Sequence, residues 1–239
     1  MNLVIDFGNT RVKAALFNGK NLLEVKVYDD AEEFTKDLNH FKEASACIIG
    51  SVTAAHERVI EALGNKIKVH HFTSQTFLPI KNLYQSASTL GSDRIAAAVG
   101  AFTIYPNKNV LSIDAGTCVK YNFTNSNNEY LGGAISPGLQ IRFKALHDYT
   151  HRLPKVKMEE DFYKLIGNTT NESILSGVIN GIISETDGFI AAYKKQYPDL
   201  VVAFTGGDTD FFAKRLKNGI FTHPNLVLTG LNEILIYNS

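Results

Sequence analysis

Apolar positions set out the elements before any other property is considered. Leu3, Val4 and Ile5 form an unbroken apolar run with two β-branched members, which predicts a buried strand. Asp6 ends that run, Gly8 and Asn9 bring turn chemistry, Thr10 adds a hydroxyl, and residues 12–17 read as the returning strand. Residues 22–28 alternate, with Leu23, Val25 and Val27 on one face, and predict a third strand of a meander. Residues 31–41 carry Phe34, Leu38 and Phe41 at helical spacing. Residues 46–52 read as a short buried parallel strand, Thr53 as the cap of a helix over 54–63, and 67–71 as a closing strand.

Residues 79–89 have no clear period; they contain Tyr84 and lead into Gly91-Ser92-Asp93-Arg94 and an alanine-rich helix over 94–104. Asp93 admits two readings, a helix N-cap or a carboxylate facing a cleft, and one residue can be both. The turn Pro106-Asn107-Lys108 is the expected boundary between a first lobe, 1–106, and a second, 107–239. The second lobe opens with a strand over 109–113, a turn at Asp114, and strands over 118–124 and 130–135. Gly132-Gly133 in the last of these fits close approach by a ligand or another backbone, and equally a β-bulge. A helix over 139–146 follows, then a charged irregular stretch, 147–160, that reads as a flap or as a solvated loop.

A long helical pattern over 172–193 comes next. Thr170 precedes it as a default cap or as a ligand contact, and Gly177 and Gly181 mark a place for close packing, a second subunit included. A strand over 200–204, Thr205-Gly206-Gly207-Asp208 and helices over 209–216 and 226–237 complete the chain. Asp208 is either a plain helix cap or part of a turn against which adenine or ribose rests.

One pattern occurs twice. Residues 3–10 read LVIDFGNT and residues 110–117 read VLSIDAGT, each an apolar strand ending in Asp-x-Gly and a polar residue. Two such turns, 114 − 6 = 108 residues apart, predict two similar lobes facing one nucleotide. A carboxylate, exposed amides and a hydroxyl at a hairpin tip are the groups that a nucleotide phosphate and its metal require.

Bulk properties narrow the class. The 239 residues hold 24 basic and 24 acidic side chains, a formal net charge of zero, which argues against electrostatic capture of nucleic acid or of a membrane surface. No apolar run approaches the ~20 residues of a membrane span, and a core strand begins at once, so no signal peptide is expected. The two cysteines, Cys47 and Cys118, lie in or beside strand patterns and are expected as free thiols in a reducing, cytoplasmic setting.

The motifs together resemble the type III pantothenate kinases, within the actin-like ATPase and sugar-kinase superfamily. They are Asp6-Phe7-Gly8-Asn9-Thr10 with Lys13, Gly91-Ser92-Asp93-Arg94, Asp114-Ala115-Gly116-Thr117, residues 132–138, residues 168–177, and Thr205-Gly206-Gly207. Any one is weak; the six in family order are specific. The resemblance implies an α/β fold of two actin-like ATPase (ribonuclease H-like) lobes with a nucleotide cleft between them. It implies ATP-dependent phosphorylation of the pantothenate 4′-hydroxyl, the first step of coenzyme A synthesis, by a cytoplasmic homodimer without nucleic-acid or membrane partners.

Residue by residue, the resemblance assigns ATP to Asp6, Phe7, Gly8, Asn9, Thr10, Arg11, Val12, Lys13 and Thr117. It assigns pantothenate to Tyr84, Gly91, Ser92, Asp93, Arg94 and Thr170, with Asp93 as the catalytic base. ATP enters with Mg²⁺, and Asp114 is the expected holder of a monovalent cation, potassium or ammonium. The chain departs from the family pattern after Thr117, where Cys118-Val119-Lys120-Tyr121-Asn122 replaces small and hydroxyl residues followed by Asp. Lys120 and Asn122 leave the local charge open. The competing readings are a kinase of another small alcohol such as a sugar, and a non-catalytic regulatory protein of the same fold.

Overall fold

The computed structural model describes residues 1–51, 56–63 and 67–239. The expected cap at Thr53 and the start of its helix lie outside those residues. The chain groups into two units: Met1–Lys108 with Asn122–Gly132 and Asn225–Ser239, and Asn109–Tyr121 with Gly133–Pro224.

The first unit is built on a five-stranded sheet of β1 (Asn2–Phe7), β2 (Val12–Asn18), β3 (Asn21–Tyr28), β4 (Ala46–Ser51) and β5 (Lys68–His71). Its order is β3-β2-β1-β4-β5, with β1 antiparallel to β2 and parallel to β4. The β-β-β-α-β-α-β reading of the first lobe therefore holds, with α1 (Ala31–Lys36) and α2 (His56–Leu63) as the helices between. The predicted helix over 31–41 is shorter, because the chain tightens into a 3₁₀ turn over Leu38–Phe41.

The unbroken apolar run in β1 has a simple cause: both faces of the strand are covered. Leu3, Ile5 and Phe7 join Phe34, Phe41, Val59 and Leu63 on one face. Val4 joins Ile95, Val99, Leu228 and Leu231 on the other. The latter come from α3 (Ser92–Ile104) and α7 (Leu226–Tyr237). By contrast β3 is an edge strand, and the face with Leu23, Val25 and Val27 is only partly covered: Leu23 is 56% and Val27 49% exposed, while Val25 packs against the cluster of Val4.

A second sheet runs in the order β11-β10-β7-β8-β9-β6. Its strands are β6 (Lys81–Asn82), β7 (Val110–Ala115), β8 (Cys118–Thr124), β9 (Glu129–Pro137), β10 (Val201–Thr205) and β11 (Phe221–Thr222). The two-residue strands β6 and β11 carry too short a pattern to be read from sequence. Within the second unit β10 is parallel to β7, pairing Thr205 with Asp114. Helix α4 (Leu139–Asp148) packs on α5 (Thr170–Gln196), and α6 (Thr209–Ala213) follows β10. Tyr121 stacks on Phe189 with ring centroids 4.4 Å apart and shares a hydrogen bond of 3.0 Å with Thr186. Burial pushes that phenol up to about 12.

Both cysteines are free thiols, Cys47 buried and Cys118 half-buried. No helix among the described residues is long and apolar enough to cross a membrane.

Candidate functional site

Three local arrangements carry the predicted site residues. The first is the β1–β2 hairpin. Asp6 is half-buried at the end of β1, opposite Lys13 on β2 and beside Gly50 on β4. The Gly8 N–H donates to the Arg11 carbonyl at 3.0 Å, which closes a loop whose Asn9, Thr10 and Arg11 are exposed. Phe7 and Val12 are only 2% and 4% exposed, and Phe7 packs edge-on against Phe34. Their side chains hold the hairpin to the core, so a ligand at this turn would meet their backbone alone.

The second arrangement is the head of α3, in the same unit. The helix starts at Ser92 and its N-cap is Gly91, so Asp93 is not the cap but the second helical residue. The Asp93 carboxylate accepts the Arg94 backbone N–H at 2.9 Å. A Cβ on residue 91 would stand 2.5 Å from Asp93 Oδ1, so a larger residue there would shift that carboxylate. Helix N-termini favour negative charge, so a carboxylate suits this turn.

The Arg94 side chain, 6% exposed, turns elsewhere. Its Nε donates to Asn122 Oδ1 at 2.9 Å, and its Nη1 reaches the Tyr84 hydroxyl at 3.5 Å. The same Asn122 oxygen accepts the Tyr130 hydroxyl at 3.1 Å. Arg94 Nη2 is buried and has no hydrogen-bond partner among the described residues. Hydrogen bonding to Arg94, and then its charge, holds the Tyr84 hydroxyl below the usual phenol range. The ring of Tyr84 lies where a Cβ on Gly132 would stand, 3.0 Å from the nearest ring atom, and Gly132 has φ +107°. The first of the paired glycines therefore makes room for the side chain of Tyr84.

Asn122 and Tyr130 were not among the predicted site residues. The available signal was a polar residue, Asn122, between the buried aromatic residues Tyr121 and Phe123.

The third arrangement is the β7–β8 hairpin of the second unit. Only Gly116 and Thr117 link the strands, Gly116 N–H donates to the Cys118 carbonyl at 3.0 Å, and Thr117 is exposed. Asp114 Oδ2 stands 2.6 Å from Lys120 Nζ, with the two side chains 14% and 20% exposed. Asp208 lies close by: burial, and then the charge of Asp114, push its carboxyl above the usual range. Asp208 is the N-cap residue of α6, but its side chain makes no capping hydrogen bond.

The Asp114 carboxylate already holds an ammonium, and a second unit cation about 4 Å from it would be repelled by about 4 kcal/mol at an effective dielectric near 20. The residues present do not fit a free cation at Asp114.

Thr170 also departs from its default reading. The cap of α5 is Thr169, whose hydroxyl accepts the Glu172 N–H at 3.2 Å; Thr170 is the exposed first helical residue. A cavity of about 360 Å³ in the first unit, lined by Lys20, Phe102 and Glu233 among others, contains none of the predicted residues. Its two charged groups already pair at 2.8 Å, so it offers no free chemistry.

The two sheets and their helices make an α/β fold. The inorganic polyphosphate/ATP-glucomannokinase of Arthrobacter sp. strain KM shares this fold with a TM-score of 0.52 at 13% identity, over 99% of this chain and 98% of that one. Residues 2–192 match the family model of type III pantothenate kinase. The chain is 45% identical over 241 residues to the type III pantothenate kinase of Christiangramia forsetii, covering 100% of this chain and 99% of that protein. It is 41% identical over 240 residues to the Flavobacterium johnsoniae enzyme of the same name, covering 99% and 98%. The chain belongs to the type III pantothenate kinase family.

Proposed function

We propose that the protein transfers the γ-phosphoryl group of ATP to the 4′-hydroxyl of pantothenate, the first step of coenzyme A synthesis. The observation that carries this reading is the buried Arg94 guanidinium from the head of α3, whose Nη2 has no hydrogen-bond partner among the described residues. A buried donor left unmatched by protein calls for a ligand or a water. A guanidinium suits a carboxylate such as that of pantothenate.

Asp93 accepts the proton of the attacking hydroxyl as its oxygen bonds to phosphorus, and ADP departs with the electron pair of the broken P–O bond. Arg94 anchors the substrate carboxylate, with Tyr84, Gly91, Ser92 and Thr170 as the other substrate contacts. In the first unit Asp6, the amides and hydroxyl of residues 8–10, and Lys13 serve the nucleotide; in the second, Thr117 does. Asp6 would orient the magnesium that ATP brings, or its waters, and the ion would offset phosphate charge there. We assign a cytoplasmic homodimer, in keeping with Gly177 and Gly181 on α5, where a Cβ would meet open space.

Asp93→Ala tests the assignment. It is expected to fold normally by circular dichroism and to lose about 10²-fold or more in turnover, as loss of a general base does. A folded variant with near wild-type turnover rejects Asp93 as the base.

A further inference from the structure

We infer that Lys120 supplies, as a tethered ammonium, the positive charge at Asp114 that a free monovalent cation would otherwise bring, so that turnover needs neither potassium nor ammonium ions. This rests on the kinase reading above. Lys120 is placed for the role by the strand that carries it. In β8 the neighbours Val119 and Tyr121 are fully buried on one face, so Lys120 projects from the other. The tight two-residue link to β7 then sets its Nζ 2.6 Å from Asp114 Oδ2. Both side chains are mostly withdrawn from water, so the pair is only partly screened.

The neighbourhood needs that charge. Asp208 adds a second carboxyl nearby: its backbone N–H donates to the carbonyl of Ala115, the residue after Asp114, at 3.1 Å. A lysine head group is an ammonium with three donors, chemically equivalent to one of the two ions the site was expected to take. Held on its own strand, it pays no translational entropy on binding. The same ammonium excludes a free cation by like-charge repulsion.

The test uses the full chain in choline, sodium, potassium and ammonium chloride at one ionic strength. Wild-type turnover of ATP with pantothenate is expected to agree within about 2-fold across the four salts, and its melting temperature to be no higher in potassium than in choline. Lys120→Ala is expected to lose at least about 10-fold in choline, to regain most of that in potassium or ammonium, and to melt higher in those two salts. Lys120→Gln gives the same comparison if the alanine variant folds poorly. A wild type that is activated or stabilised by potassium overturns the inference, and so does a Lys120 variant without cation-specific rescue. If the wild type turns over no ATP with pantothenate in any salt, the kinase reading fails, while the melting comparison still decides the role of Lys120.

Discussion

The two Asp-x-Gly hairpins look alike in sequence and differ in what they leave available. In the β1–β2 hairpin the strands are joined by a longer loop with Asn9, Thr10 and Arg11 exposed, and Asp6 faces Lys13 across the ladder. In the β7–β8 hairpin two residues make the link and the aspartate is held by a lysine of the returning strand at 2.6 Å. The carboxylate-to-lysine spacing is seven residues in the first (13 − 6) and six in the second (120 − 114). A shared motif therefore specifies a shared backbone reversal, while the residues just beyond it decide where the lysine of the returning strand stands relative to the carboxylate.

That contrast can be broken by exchange of charge. Asp6→Asn is expected to lower turnover by about 10²-fold or more, the scale of removing one preorganised electrostatic group. Unlike loss of Lys120, the defect should not respond to potassium or ammonium. Equal rescue of both variants by the same monovalent salts would show the two hairpins to be equivalent.

Arg94→Met belongs to neither hairpin and sharpens the comparison from outside it. Removing a charged hydrogen-bonding anchor costs about 1.5–3 kcal/mol, so the KM for pantothenate should rise roughly 10- to 100-fold. The KM for ATP should stay within about 2-fold if Arg94 serves pantothenate alone. A parallel rise in the KM for ATP would take Arg94 away from the pantothenate carboxylate.

The smallest effect is at Asp208. Its carboxyl is raised in the folded protein, so the native state binds that proton more tightly than the unfolded chain. The resulting stabilisation is present below the unfolded carboxyl range and is lost as pH rises through the folded value. At neutral pH the ionised group is a net cost, and Asp208→Asn should raise stability by about 0.5–1 kcal/mol, a few degrees at most in melting temperature. No capping hydrogen bond is lost with it. The gain should shrink towards pH 4; a gain that is constant with pH would separate it from the Asp208 charge.

Much of the first unit was legible because β1 and β4 are covered on both faces and therefore read as continuous apolar runs. The Asp-x-Gly turns were legible from their glycines, and the head of α3 from Gly91-Ser92-Asp93-Arg94. The caps of α3 and α5 were misplaced by one or two residues, since Gly91 and Thr169 adjoin residues of equal capping chemistry. The Arg94–Asn122–Tyr130 network joins residues 28 and 8 positions apart, a link that pairing in space creates and local periodicity does not encode. Lys120 stood out in sequence as a departure; only the strand geometry turned it into a partner for Asp114.

The most direct test follows the phosphoryl group itself. Purified wild-type protein is given ATP, magnesium and either pantothenate or a hexose panel, and both ADP and the phosphorylated product are quantified. The account predicts ADP and 4′-phosphopantothenate in equal amounts, with pantothenate required. ADP formed with a hexose but not with pantothenate, or ATP bound without turnover when pantothenate is supplied, would contradict it.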